Sequence, residues 1–139
     1  MTRNAVIASL VFVQTLILVS AQGKTTAEGV YSAAQAKRGE AVYTRACASC
    51  HQADLSGDGQ TPALAGKDFN ADWNDQSLGD LFERTRISMP ADKPGSLPPA
   101  DVADVIAFIL SKGQFPTGQS ELPADLAALK AITFVSPKL

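Results

Sequence analysis

The chain has few of the side chains that usually carry chemistry. Its 139 residues include one histidine, two cysteines, one tryptophan and two methionines, of which one is the initiator. The 12 basic residues nearly balance the 14 acidic ones, and no basic stripe is present, so we expect no nucleic-acid partner. Alternating apolar and polar residues and hairpin turns are also absent, which argues against a β-sheet fold.

The N-terminal residues are typical of an export signal. Arg3 precedes an almost uncharged apolar run from Ala5 to Val19, and Val19-Ser20-Ala21 has the small residues of a signal-peptidase site. The run of about fifteen residues is short for a bilayer span of roughly 20. We therefore expect residues 1–21 to be a signal peptide cleaved near Ala21, and the protein to be periplasmic or otherwise exported. An uncleaved segment would instead anchor it to a membrane.

The remaining chain predicts one all-α domain with an extension. Residues 22–30 are small and polar, which favours a flexible lead-in. Residues 31–113 hold the helical patterns of the domain. Residues 114–139 contain Leu122, Leu126, Leu129 and Ile132 at helical spacing after Pro123, so we expect an extension packed on the core with one more short helix.

Three to four short helices are predicted. The first runs from about Tyr31 to Ala48, and the second follows a capping box at Ser77 and ends near Arg86. The third starts at Asp101 and ends at Gly113, because apolar residues recur there at helical spacing. Residues 52–76, rich in Gly, Asp and Asn, predict a long loop. Helices this short bury little apolar surface, so a large apolar cofactor would help to hold the fold.

The motif that carries chemistry is Cys47-Ala48-Ser49-Cys50-His51. C-x-x-C-H is the attachment signature of c-type haem. Two thiols at this spacing can each reach one vinyl group at the porphyrin edge, and the adjacent histidine can then bind the iron. The sequence therefore predicts one haem c, covalently attached through two thioethers.

Three other readings of the cysteine pair are weaker. A disulfide would close a very small loop and stabilise little. A thioredoxin-type pair belongs in an αβ context that this sequence does not have. A zinc site would need a fourth ligand, and the chain has no further Cys or His after His51.

The residues alone leave three candidates for the second axial position of such an iron. Met89 is the one methionine besides the initiator, and it precedes Pro90 in a loop. A thioether is a soft neutral ligand, although a methionine more often fills a gap in a core. Since there is no second histidine, the alternatives to Met89 are Lys93 and an open site.

The segment from Asp54 to Gly59 imitates the first half of a calcium loop. Position twelve of that loop, which should be a glutamate, is Ala65, and no second helix follows. We therefore interpret the segment as a polar turn.

The domain resembles the class I cytochrome c family from about Tyr31 to Gly113. Gly39 and Tyr43 precede Cys47 by eight and four positions, as in that family, where the N-terminal helix crosses the C-terminal helix closely at the glycine. The resemblance implies that Phe108 lies against this crossing. It also implies a class I cytochrome c fold around one covalently bound haem.

The resemblance also assigns residues around the haem. Pro62-Ala63-Leu64-Ala65-Gly66 matches a family segment whose proline carbonyl accepts a hydrogen bond from the axial histidine. It implies that Pro62 bonds to His51, that Leu64 lies against the haem face, and that Met89 is the second iron ligand. The sequence is also similar to small periplasmic monohaem cytochromes.

These observations lead to one functional expectation and two alternatives. We expect an exported monohaem cytochrome that carries single electrons and is not an enzyme, because both axial positions are filled. Its partners would be redox proteins, with a periplasmic dehydrogenase as donor and an oxidase or another cytochrome as acceptor. The alternatives are a subunit permanently bound to a dehydrogenase, with residues 114–139 as a docking arm, and a haem protein with a labile sixth site.

Overall fold

The computed structural model describes residues 23–138, so the expected signal peptide lies outside the described residues. The helices within this range are α1 (Ala33–Ala46), α2 (Ala48–His51), α3 (Lys67–Trp73), α4 (Leu78–Ser88), α5 (Pro99–Lys112) and α6 (Leu126–Lys130). Two-residue strands, β1 (Lys24–Thr25) and β2 (Ile132–Thr133), pair in parallel. The expected all-α class is confirmed. No helix within the described range is both long and apolar enough to cross a membrane.

The crossing of α1 and α5 forms the centre of the molecule. A Cβ atom at Gly39 would overlap the carbonyl oxygen of Asp104 and lie 3.0 Å from the Cβ of Phe108. The rings of Tyr43 and Phe108 pack beside the crossing, with their centroids 5.1 Å apart. A glycine inside a helix costs about 1 kcal/mol relative to alanine. At Gly39 this cost is offset because only glycine permits the close approach of the two helices.

An ionic network joins this crossing to the C-terminal extension. The guanidinium of Arg38 donates to both carboxylate oxygens of Asp104, at 2.9 and 3.0 Å, and also to both oxygens of Glu121. Only 12% of the Asp104 side chain is exposed, so Arg38 supplies the charge that this carboxylate needs. The same guanidinium holds the pKa of Glu121 below its usual range.

The predicted long loop at 52–76 contains a helix that the sequence did not indicate. Helix α3 begins after Gly66, which supplies no side-chain cap, so there is no sequence signal for its start. Phe69 and Trp73 lie one turn apart, with ring centroids 6.3 Å from each other, and Phe69 also packs on Phe134. Two apolar positions are too few to define a period. A contact from the distant extension stabilises α3 instead.

The lead-in at 22–30, expected to be flexible, is folded from residue 24. Beyond β1 it forms a 3-10 turn at Thr26–Glu28. The Thr26 side chain is fully buried, and its hydroxyl donates to the Val135 carbonyl at 3.0 Å and accepts from the Val135 amide at 2.8 Å. The partner is 109 residues away along the chain. No local pattern could therefore reveal this pairing.

The C-terminal extension packs on the core of its own chain. Leu122, Leu129, Ile132 and Phe134 are all buried. Its helix, α6, is shorter than the leucine spacing suggested, because Ile132 belongs to β2. The apolar side chains that a docking arm would offer to a partner are thus already used within the chain. Helix α5 in turn begins at Pro99, two residues before the expected start, since proline is well tolerated in the first helical turn.

Candidate cofactor site

The C-x-x-C-H motif forms a single turn at the end of α1. Cys47 caps α1 by donating its amide to the Tyr43 carbonyl at 2.8 Å. The amides of Cys50 and His51 then both donate to the Cys47 carbonyl, at 3.1 and 2.9 Å. The Tyr43 hydroxyl donates to the Gln52 carbonyl at 2.7 Å, which ties the end of this turn back to α1. The two thiols and the imidazole are therefore carried by one short rigid unit.

The two cysteines are free thiols in different surroundings. Cys47 is half-buried against the hydrophobic core, whereas Cys50 is exposed. Burial raises the pKa of the Cys47 thiol to about 11. A thioredoxin-type pair belongs at the end of a β-strand in an αβ fold, whereas this pair directly follows α1, so the surroundings give that alternative no support.

His51 has the hydrogen bond that orients an axial ligand. Its side chain is buried, and its Nδ1 atom lies 2.9 Å from the carbonyl oxygen of Pro62. Because a carbonyl oxygen can only accept, Nδ1 must carry the proton and donate it. The lone pair of the imidazole is then on Nε2, which is available to a metal.

The loop between His51 and α3 holds Pro62 in position through backbone hydrogen bonds. The amide of Gly57 donates to the His51 carbonyl at 3.1 Å, and that of Leu64 donates to the Leu55 carbonyl at 2.9 Å. Leu55 is fully buried and anchors the loop to the core. Gly57 has a φ of +66°, and a Cβ there would lie 2.8 Å from the carbonyl carbon of Pro62. The position of the Pro62 carbonyl therefore depends on glycine at residue 57.

The acidic residues of the calcium-like segment are occupied by the loop itself. A carboxylate oxygen of Asp54 accepts from the hydroxyl and the amide of Ser56, at 2.6 and 3.1 Å. Asp58 accepts in the same way from the amides of Gln60 and Thr61. These bonds lower the pKa of both aspartates. Across residues 23–138, no group of three or more His, Cys, Asp or Glu side chains is arranged to hold a metal ion.

Met89 lies on a different segment of the chain from the C-x-x-C-H motif. It is the residue that caps the C-terminal end of α4, and its amide donates to the Thr85 carbonyl at 3.0 Å. Its side chain is half-buried. The peptide bond to Pro90 is cis, and the Lys93 amide donates to the Pro90 carbonyl at 2.9 Å in the following turn. Lys93 itself is exposed.

Several apolar side chains near these segments are only partly covered by protein. They pack on the core yet stay half-exposed, and they come from the motif turn, the loop, α3 and the segment after Met89: Cys47, Ala48, Leu64, Ala65, Trp73 and Leu97. A large apolar group would cover such surface. The buried oxygen Asn70 Oδ1 on α3 also lacks a hydrogen-bond partner among the described residues, and the sequence did not single this residue out. Buried polar atoms of this kind usually bond to water or to a bound group.

The donor set fits a haem c group. Two free thiols lie on one turn, the adjacent imidazole uses Nδ1 for its hydrogen bond and so keeps the lone pair on Nε2, and the same turn and the following loop carry half-buried apolar side chains. Residues 34–109, more than half of the 139-residue chain, match the family model described as Cytochrome C oxidase, cbb3-type, subunit III. The chain belongs to this family and is a class I c-type cytochrome. No curated protein matches it.

Membership of this family defines the cofactor. The domain carries covalently attached haem c, binds iron and takes part in electron transport. The match covers all but the first residue of α1, all of α2 to α4, the C-x-x-C-H motif, Met89 and most of α5. It ends at residue 109, so residues 114–138 lie outside the region shared with the family.

Proposed function

We propose that this cytochrome is an exported one-electron carrier whose haem is held by Cys47 and Cys50 and whose iron is bound by His51 and Met89. The observation that carries the proposal is the hydrogen bond from His51 Nδ1 to the Pro62 carbonyl, directly beside two free thiols. It prepares the imidazole as a metal ligand through Nε2. With both axial positions taken, the iron has no place for a substrate, so the protein is a carrier and not an enzyme.

Each residue has a distinct task in this proposal. Bound haem supplies the exchange of one electron between ferric and ferrous iron. The Pro62 carbonyl fixes the His51 ring and strengthens it as a donor, which favours ferric iron. The Met89 thioether is a soft neutral ligand, which favours ferrous iron and raises the potential. Leu64, which is half-buried, excludes water from one face.

Export is the part of the proposal that depends on residues 1–21. Their apolar run and small residues favour cleavage after Ala21 and a periplasmic protein. The mass of the protein isolated from its native host tests this directly. A chain that begins at Gln22 supports export, whereas a chain that retains residues 1–21 and sediments with membranes supports an anchor.

Permanent assembly with a larger enzyme is the second candidate. The description of the matched family names a subunit of an oxidase, which favours an oxidase as electron acceptor. A dehydrogenase would then be the electron donor. Because Leu122, Leu129 and Phe134 are buried in the chain's own core, another surface would have to form the interface. Size-exclusion chromatography from the native host separates a free carrier, which elutes as a monomer, from a bound subunit.

Substitution of the sulfur ligand tests the carrier directly. In Met89→Ala we expect loss of the near-infrared sulfur-to-iron band, and a potential lower by more than the ~59 mV that corresponds to a tenfold change for one electron. Ile87→Ala is the matched control, because Ile87 lies two residues earlier and is 56% exposed. An unchanged potential in Met89→Ala would point to Lys93 or to an open site instead.

A further inference from the structure

The position of Met89 is determined by helix α4. Its amide bonds to Thr85 in the last turn of that helix, so any displacement of α4 carries Met89 with it. Leu78, Leu81 and Phe82 bury the inner face of the helix. What holds Met89 in place is therefore whatever packs against α4.

Helix α4 packs more extensively on α6, in the C-terminal extension, than on α5. The two backbones meet at Gly79, which is buried. A Cβ at this position would lie 2.8 Å from the Lys130 amide nitrogen and would overlap its side chain. Glycine at residue 79 thus allows α6 to lie directly against α4. The sequence offered no reason for this glycine.

The strand after α6 holds the other end of α4. The Phe134 amide donates to the Gln76 carbonyl at 2.8 Å, and the Asp75 amide donates to the Phe134 carbonyl at 2.9 Å. Ser77, the N-cap of α4, forms a β-bridge with Thr133. The connection from α3 to α4 is therefore paired with residues 133–134 of the extension.

The Phe134 ring locks this pairing into the core. It is fully buried, with its centroid 5.0 Å from that of Phe115 and 6.0 Å from that of Phe69 on α3. The Ser136 amide donates to the Asn74 side chain at 2.9 Å, and its hydroxyl donates to the Asn70 carbonyl at 3.1 Å. Residues 134–136 thus contact α3, the α3–α4 connection and the core at the same time.

The extension is in turn fixed to the opposite side of the molecule. The Gln35 side chain on α1 makes two hydrogen bonds with the Leu122 backbone, at 2.7 and 3.0 Å, and Thr26 makes two with Val135. The extension thus connects α1 and the N-terminal segment to α3 and α4. All of these contacts use residues beyond the family match.

From these contacts we infer that the C-terminal extension keeps Met89 on the iron, with Phe134 and Gly79 as positioning residues. The inference rests on the proposed role of Met89 as ligand. Loosening the extension from α4 leaves the haem attachment and His51 in place, because Cys47, Cys50 and His51 all belong to the turn after α1. The same loosening raises the fraction of molecules in which the Met89 sulfur has left the iron.

Imidazole binding to the ferric protein measures this fraction. Added imidazole competes with Met89 for the iron, and its apparent affinity rises in proportion to the open population. We expect Phe134→Ala to bind imidazole about tenfold more tightly than wild type, equivalent to ~1.4 kcal/mol, and to lose intensity in the sulfur-to-iron band. Gly79→Ala, which pushes α6 away from α4, should act in the same direction. All measurements use the full-length holoprotein at a temperature where circular dichroism shows it folded.

Leu122→Ala is the matched control. Like Phe134→Ala, it removes a buried apolar side chain from the extension, but at the end that bonds to α1. We expect it to lower the melting temperature while imidazole affinity stays within about threefold of wild type. If Phe134→Ala fails to fold, then Phe134→Leu, which keeps most of the apolar volume, and Gly79→Ala take its place.

The outcomes separate the two proposals. A wild-type spectrum without the sulfur-to-iron band overturns Met89 as ligand and this inference with it. A wild type that has the band, with Phe134 and Gly79 variants of unchanged band and affinity, overturns only the positioning role. An increase in imidazole affinity in Leu122→Ala as large as that in Phe134→Ala also overturns the positioning role, because it would reflect general loosening of the fold.

Discussion

The Nδ1 atom of His51 donates a hydrogen bond to the carbonyl oxygen of Pro62 at 2.9 Å, although eleven residues separate the two in sequence. The intervening loop closes through its own backbone, with Gly57 in the left-handed region directly beside the Thr61–Pro62 peptide. The strength of His51 as a ligand is therefore linked to the conformation of one glycine.

We predict that Gly57→Ala raises the reduction potential. A Cβ at this position would overlap the Thr61 carbonyl oxygen and displace Pro62, which weakens the hydrogen bond to His51. A weaker donor stabilises ferric iron less. The expected rise is about 30 mV, half of the ~59 mV that represents a tenfold effect for one electron.

Gly59→Ala is the control for this experiment. Gly59 also has a positive φ, of +86°, but a Cβ there meets nothing within 4 Å. It should therefore lower stability through backbone strain and leave the potential unchanged. Potentiometric titration of both variants gives the comparison, and equal potentials in the two variants would contradict the link between Gly57 and His51.

We predict that Gly39→Ala destabilises the fold severely. The added methyl group would overlap the Asp104 carbonyl, so α1 and α5 must separate. Forcing extra volume into a packed contact costs about 1–3 kcal/mol, and more where a backbone must move. Urea unfolding measures the loss. The exposed Ala41→Gly, in the same helix, should cost about 1 kcal/mol, and a smaller loss for Gly39→Ala would be inconsistent with the close crossing.

We predict unequal effects within the Arg38 network. Arg38→Ala leaves the Asp104 carboxylate, which is only 12% exposed, without its cation. Glu121→Gln removes a partner whose side chain is 48% exposed and screened by water. The loss of unfolding free energy in urea should be roughly threefold larger for Arg38→Ala. Equal losses would show that Asp104 does not depend on this pairing.

We predict that the cap of α4 weakens in acid. The Ser77 hydroxyl donates to Asp80 at 2.6 Å and lowers the pKa of that carboxyl. Because the folded pKa lies below the unfolded value, the contribution is complete above the unfolded pKa of about 3.9 and is lost as the pH falls through the folded pKa.

Asp80→Asn tests this dependence. Its unfolding free energy should lie below that of wild type at pH 7, and the difference should shrink as the pH falls below about 4. Ser77→Ala should cost about 1 kcal/mol at pH 7 through the lost N-cap. If the difference in unfolding free energy between wild type and Asp80→Asn instead increases as the pH falls, the predicted lowering of the Asp80 pKa is contradicted.

Local signals in the sequence were sufficient for much of the fold and for part of the site. The C-x-x-C-H spacing identifies the attachment turn, and the capping box at Ser77 and the apolar period of α5 locate two helices. The capping box consists of residues within one turn of each other, and the apolar period repeats along one helix. The role of Pro62 came only from the family resemblance, because no periodicity points to a loop carbonyl.

Contacts between distant residues could not be predicted in this way. Thr26 pairs with Val135 across the whole domain, and Phe134 supports α3 and α4 from the far end of the chain. Neither contact produces a local sequence pattern, so the sequence predicted a flexible lead-in and a loop in place of α3. Nothing in the sequence distinguishes Gly79 from any other helix residue, because its role comes from the contact with α6 in the fold.

The visible and near-infrared spectrum of the wild-type holoprotein, recorded oxidised and reduced, tests the carrier role of this cytochrome most directly. With His51 and Met89 on the iron, both oxidation states are low-spin, and the ferric form has the sulfur-to-iron band, which disappears on reduction. A high-spin ferric form that lacks this band and readily binds added ligands would contradict the role.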